Sequence, residues 1–276
     1  MKVKEKLEEE ELAEEILEKE IEKELEQTKV EAEKKAKELE EEDRKKRMGA
    51  DTAEEKISAW KPKTKLGKEV KSGKIKNIDE ILDKNKKIME QEIVDSLMKN
   101  LKTDLISIGQ SKGKFGGGKR RAWRQTQRKS KEGNIPTFST MAVAGDENGH
   151  VGVGMGKGKE TLPSRDKAIR KAKLNMMHLK RACASFDCAC AELHSVPFKV
   201  AGKSGSVRVI LIPAPQGTGL VIANELKKIL KLAGIKDVYS KTFGSQRTTF
   251  NLVLACIDAL KKTNPTIYGK HRGVKI

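Results

Sequence analysis

The stretch TFSTMAVAGDENGHVGVGMGKGK (137–159) decides how this chain folds. Its apolar run from Met141 to Ala144 and its alternating Val151 and Val153 flank Asp146, Glu147, Asn148 and Gly149, a cluster of turn formers. The pattern predicts two strands, 137–145 and 151–156, joined by a turn over 146–149. Residues 123–129 read as a further strand ahead of them, giving an antiparallel meander. Behind them Pro163 suits the first turn of a helix, and a helix running to Arg181 would set Ile169, Ala172, Met176 and Leu179 on one face. Lys167, Arg170, Lys171 and Lys173 fall largely elsewhere, so this helix is expected to cover one face of the sheet. Gly152, Gly154, Gly156 and Gly158 alternate on a single strand face, where an RNA backbone or a packed helix could come close. With Lys157 and Lys159 they invite a phosphate-loop reading, but Gly158 and Glu160 stand where the Lys-Ser/Thr pattern needs a hydroxyl.

Working outward, residues 196–200, 207–212 and 235–242 read as strands and 222–232 and 250–261 as helices, with Thr248 and Thr249 supplying capping hydroxyls. Two small α+β domains in series are expected. Upstream, apolar residues at three and four spacing predict short helices over 78–85 and 91–102, and 50–73, with Trp60, Pro62 and Gly67, reads as an irregular basic linker. Residues 5–46 are almost wholly Glu, Lys, Leu, Ile and Ala, with a thin stripe of Leu12, Ile16, Ile21 and Leu25. A solvated helix or partly disordered tail is expected there rather than a coiled-coil seam. The organisation is therefore a charged extension (1–48), a basic linker with short helices (49–110), a first α+β domain (111–182), a cysteine-rich connector (183–194), a second α+β domain (195–263) and a basic tail (264–276).

The net charge of +18 conceals an asymmetry. Residues 1–48 hold thirteen Lys/Arg against nineteen Asp/Glu, a balance of −6, so the remainder carries +24. Such an excess calls for a polyanionic partner, because each phosphate neutralised releases counterions. The longest uncharged run, 209–224, is broken by Pro213 and Pro215 and falls short of the roughly 20 apolar residues that span a bilayer. No membrane partner and no secretory signal are expected, and the cysteines are read as free or metal-bound thiols of a reducing, cytoplasmic compartment.

Residues 112–131 contain nine Lys/Arg and no acid, three consecutive glycines at 116–118, and the aromatics Phe115 and Trp123. A segment of this kind cannot bury a core; it can follow an RNA backbone, with Lys112, Lys114, Lys119, Arg120, Arg121, Arg124, Arg128, Lys129 and Lys131 on phosphates and Trp123 either against a base or packed on its own domain. Lys157, Lys159, Lys167, Arg170, Lys171 and Lys173 are candidates for the same surface. Cys183, Cys188, Cys190 and His194 lie within twelve residues and could form a tetrahedral zinc set, although Cys-x-Cys is tighter than the usual gap; packed apolar thiols are the other reading. Cys256 sits in an apolar helical pattern. The histidines at 150, 178 and 271 show no paired carboxylate or nucleophile at a suggestive spacing, so no acid-base or nucleophilic constellation is expected. The turn PAPQGTGL (213–220) looks superficially like the phosphate loop of small-molecule kinases, but Val221, Ile222 and Ala223 replace the serine-rich helix start. It is poor in positive charge, so Gly217, Thr218 and Gly219 are expected to face protein.

The basic glycine loop, the strand MAVAGDENGHVGVGMGKGKET (141–161) and the basic helix after it resemble small-subunit ribosomal protein five. So does HSVPFKVAGKSGSVRVILIPAPQGTGLVIANELKKILKLAGIKDVYSKTFGSQRTTFNLVLACIDAL (194–260), nearly throughout. The similarity runs from about Trp60 to Thr263, and 60–93 with the cysteine connector resembles the archaeal form. The resemblance implies a double-stranded-RNA-binding-like α-β-β-β-α domain followed by a β-α-β domain with a left-handed crossover. It further implies a structural, non-enzymatic component of the small subunit that binds rRNA beside the decoding region and messenger entry channel and supports accuracy. Neighbouring ribosomal proteins, four and eight among them, are the implied protein partners, and no cofactor is required. The Glu/Lys-rich extension and the insertion at 112–121 depart from the family pattern. A free double-stranded-RNA-binding module is the alternative that the first domain's pattern alone would allow.

Overall fold

Alternation of Met141 and Val143 with Ala142 and Ala144 gives one strand two apolar faces, and it must therefore be covered on both. The computed structural model describes residues 57, 59–84, 86–110, 120–188, 190 and 192–264. The chain divides into units Met1–Trp60 and Lys61–Ile276, and every element below lies in the second. Helices α1 (Lys65–Lys71), α2 (Asp79–Asp83) and α3 (Gln91–Leu97) lead into strands β1 (Lys102–Leu105), β2 (Trp123–Ser130), β3 (Gly133–Gly145) and β4 (His150–Gly158). Helix α4 (Thr161–Leu174) and strand β5 (Met176–His178) complete the first layer pair. Then follow β6 (Val200–Ser204), β7 (Val207–Pro213), β8 (Leu220–Val221), α5 (Asn224–Leu232), β9 (Val238–Phe243) and α6 (Thr249–Lys261).

The first sheet is antiparallel and centred on β3, whose last four residues pair with β1 and whose first eight pair with β2, while β4 lies along its other edge. The second sheet runs β6-β7-β9-β8, with β8 parallel to β9 and α5 between them as a β-α-β unit. The two domains are not merely serial: Met141, Val143, Val151, Val153 and Leu179 join Val209, Leu226, Leu230 and Leu260 in one continuous core. Hydrogen bonds to the second domain's backbone seal the joint, Glu147 N donating to Leu232 O at 2.9 Å and the Arg181 side chain donating through Nη1 to Gly234 O at 3.2 Å.

Several sequence expectations are corrected. The helix expected to reach Arg181 ends at Leu174, and Met176 and Met177 are buried as strand β5, because a short strand completes the sheet beside β4. The irregular segment 50–73 contains α1, capped by Thr64 Oγ1, which accepts from Gly67 N at 3.0 Å. Residues 196–199 are not strand, and the strand starts at Val200, where pairing with β7 begins. Thr248 does not cap α6 through its side chain, since its hydroxyl donates to Ser245 O at 2.7 Å. The extension 1–48, the glycines at 116–118 and the tail from 265 onward lie outside the described residues.

Candidate nucleic-acid interface

The long strand β3 outruns β4: the last β4 pair is Phe138 with Gly158, whereas β2 continues to Ser130 opposite Gly133. Residues 126–137 therefore form a two-stranded ribbon with no third strand among the described residues, and β2 is exposed from Trp123 to Lys129. Directly opposed residues of an antiparallel pair share a face. Arg124, Ser139 and Lys157 are thus neighbours across β2, β3 and β4, and Arg128 with Ile135 lies further along the same face. This is the face that carries Met141, Val143 and Val153 toward the core, continued past the core into water as a basic row. Trp123, opposite Thr140, and Lys129, opposite Asn134, belong to the α4 side; Trp123 keeps 37% of its surface open.

On that side the glycine row settles what approaches β4. A Cβ at Gly154 would lie 2.2 Å from Ala172 N and 2.3 Å from Ala168 O, and one at Gly156 would lie 2.1 Å from Ser164 O. The visitor is the backbone of α4, not RNA. Ser164, Ala168 and Ala172 form the buried seam, Thr140 Oγ1 donates to Ser164 O at 2.8 Å, and the outer surface of α4 presents Lys167, Arg170 and Lys171 to solvent. Arg165, exposed on the same helix, belongs with them and was not picked out by the apolar spacing.

Two candidates are spoken for. Lys173 is half-buried and paired with Asp95 of α3 at 2.6 Å, so it holds helices together rather than reaching a phosphate. Arg120 Nη1 lies 3.1 Å from Glu225 Oε1 of α5. Arg121 is exposed, Lys131 sits in the ribbon's turn, and Lys159 is exposed ahead of α4. Lys112, Lys114 and Lys119 lie outside the described residues.

The cysteines and one histidine are drawn together. Ligand atoms of Cys183, Cys188, Cys190 and His194 all lie within 4.8 Å of one another. Backbone N–H groups of Gln216 and Cys190 donate to the Cys188 sulfur and bring that thiol down to about 6; its hydrogen bond with Cys188, then burial, pushes Cys183 up to about 11. Cys256 is buried in α6, where desolvation raises its thiol to about 12. In the turn before β8, Gly217 and Gly219 have positive φ, +87° and +71°, and Gly219 N donates to the Asp237 carboxylate at 2.7 Å. A carboxylate there occupies the amide and repels a phosphate, against a kinase-like loop.

His150 does have carboxylate partners. Its Nδ1 meets Asp146 Oδ2 and its Nε2 meets Asp79 Oδ1, both at 2.7 Å, and its ring stacks on His178 at 5.2 Å. His178 Nδ1 lies 3.8 Å from Asp83 and 3.9 Å from Asp79, while Lys76 and Lys99 line the adjoining cleft. Burial disfavours the charged His150 ring, but the two carboxylates outweigh it and raise the ring above its usual 6.5. Burial likewise opposes ionisation of Asp146, yet His150 and the Asn148 amide outweigh it and lower the carboxyl below 3.8. The raised histidine contributes stability that is complete below about pH 6.5 and is lost as pH climbs through its folded value. The lowered aspartate contributes above about pH 3.8 and loses its share in stronger acid. Urea midpoints of wild type and His150→Asn should therefore differ most near about pH 5 and converge toward alkaline pH; a gap independent of pH would remove the ion pair as its cause.

The chain matches the family model for the ribosomal protein S5 C-terminal domain over residues 202–266 and that for the ribosomal protein S5 N-terminal domain over 122–180. A small ribosomal subunit protein uS5 of Nanoarchaeum equitans (strain Kin4-M) is 50% identical over 206 residues, 75% of this chain and 88% of the relative. That of Thermofilum pendens (strain DSM 2475 / Hrk 5) is 45% identical over 74% of this chain and 94% of the relative. That of Methanocaldococcus jannaschii is 44% identical over 76% and 90%. Identity of this degree across both domains, carried on the sheet and helix arrangement described above, means that the chain belongs to the ribosomal protein S5 family in its archaeal form.

Proposed function

We propose that the chain is an rRNA-binding structural component of the small ribosomal subunit in the cytoplasm, with no catalytic role. The observation that carries this reading is the β2–β3 ribbon, solvated on both sides and bearing Arg128, with Arg124 and Lys157 on the same face where the ribbon joins the three-stranded sheet. A two-stranded ribbon gains little from its own pairing in water and gains much from a polyanion laid along it. The shared core favours this over a free double-stranded-RNA-binding module, because the first domain leaves Met141, Val143 and Val151 uncovered without the second.

In finer terms, the ribbon and the outer surface of α4 contact rRNA beside the decoding region and messenger path and so support accuracy. The turn of Gly217, Thr218 and Gly219 faces a neighbouring ribosomal protein, four or eight. Beside it Val221 and Tyr239, 49% and 40% exposed and directly opposed across β8 and β9, form a small apolar patch on the open face of the second sheet, suited to a protein contact.

Tagged chain added to assembling small subunits should co-sediment with them and stay bound through high-salt washing, while a free RNA-binding module would be stripped. A photocrosslinker at Thr218 in those particles should label protein; adducts to rRNA alone would reverse the assignment of the turn. Loss of the tagged chain from the particles in moderate salt would overturn the structural role itself.

A further inference from the structure

The connector between the two domains gathers three thiols and an imidazole more tightly than packing requires. Cys188 Sγ lies 3.3 Å from Cys190 Sγ and 3.6 Å from His194 Nε2, and Cys190 Sγ lies 3.5 Å from Cys183 Sγ. Tetrahedral zinc with Zn–S of about 2.3 Å and Zn–N of about 2.0 Å places its sulfurs about 3.8 Å apart and sulfur and nitrogen about 3.5 Å apart. The separations here are close to those edges. They are well beyond the roughly 2.0 Å of a disulfide, and all three cysteines are free and only half-buried, unlike the core thiol of Cys256.

The histidine is set up for ligation from behind. His194 is 1% exposed and its Nδ1 lies 2.9 Å from Asp237 Oδ2, an approach whose angle falls short of a formed hydrogen bond. With Nε2 turned to the sulfurs, a small rotation of the ring completes a carboxylate-histidine pair of the kind that orients metal ligands. The connector is closed at its ends, Ala182 and Ser195 exchanging both backbone hydrogen bonds at 2.9 and 3.0 Å.

We propose that Cys183, Cys188, Cys190 and His194 bind one zinc ion as a closed structural site. Three thiols give up their protons on binding and the imidazole remains neutral, so the complex carries a net charge of −1. All four positions are filled by protein, which leaves no open coordination position and fits a structural role rather than catalysis. The ion would lock the interdomain connector and, through His194 and Asp237, the amide of Gly219 in the turn before β8. Cysteine-rich ligation selects zinc over the harder cations.

Full-length protein purified without chelator should contain one zinc per chain by elemental analysis, and cobalt exchanged into it should show the intense thiolate charge-transfer and visible bands of a tetrahedral site. Cys190→Ser, a half-exposed position that a folded chain tolerates, should lose most of the zinc and those bands. Asp237→Asn should retain the ligands but weaken zinc affinity 10- to 100-fold. Cys256→Ala should keep full zinc. Protein with no metal, with iron in place of zinc, or with zinc unchanged in Cys190→Ser overturns the site. These readouts use the isolated chain, so they stand or fall apart from the rRNA-binding role.

Discussion

Gly154→Ala should cost the free protein about 3 kcal/mol, although adding a single methyl group to a strand would ordinarily favour it by reducing backbone entropy. The new Cβ would sit 2.2 Å from Ala172 N and 2.3 Å from Ala168 O. Both are backbone atoms of one helix, so no side-chain rotation relieves the clash; α4 must lift off the sheet along the Ser164, Ala168 and Ala172 seam. Gly152→Ala and Gly156→Ala meet the same backbone at 2.2 and 2.1 Å and should behave alike. Gly158→Ala is the control, because its Cβ finds Ser164 N and Glu160 O at 3.2 Å, a distance a loop end can accommodate. Denaturant midpoints should fall sharply for the first three and little for the fourth. Equal midpoints across the row would mean that the helix is not seated on the glycines.

The row shows what was and was not legible. Alternating glycines announced a close approach, but sequence could not say whether RNA or a helix would fill it. The hairpin around 146–149 was readable because its turn residues and alternation are local. Strand β1 was not: Lys102 to Leu105 are mostly exposed and owe their conformation to the free edge of β3. The overlong helix arose because Met176 and Leu179 continue a helical spacing by coincidence while serving a strand and the core. The gathering of Cys183, Cys188, Cys190 and His194 was legible from their short spacing, whereas Asp237, 43 residues beyond His194 in the sequence, was not. The same distance effect hid Asp79 from His150, but Asp146, four residues away across the turn, was within reach of a closer reading.

Charge poses the same problem, since composition gives the sign of the partner and only packing tells which cations are free. Lys171 and Lys173 look equivalent in sequence; one is exposed and the other is held by Asp95. The exposed row makes the larger claim. Changing Arg124, Arg128 and Lys157 together to Ala should lower the slope of log affinity for small-subunit rRNA against log salt by roughly 2 to 3, at about 0.7 to 0.9 for each phosphate left without its cation. Stability should change by no more than about 0.5 kcal/mol, because all three side chains stand in water and exposed charges contribute little to folding. Lys173→Ala should do the reverse, loosening α3 from α4 with the salt slope unchanged. Binding isotherms over a salt series, read beside denaturation curves, separate the two kinds of lysine and arginine. A folded triple variant with the wild-type slope would take the rRNA contact away from the ribbon and leave the outer surface of α4 as its place.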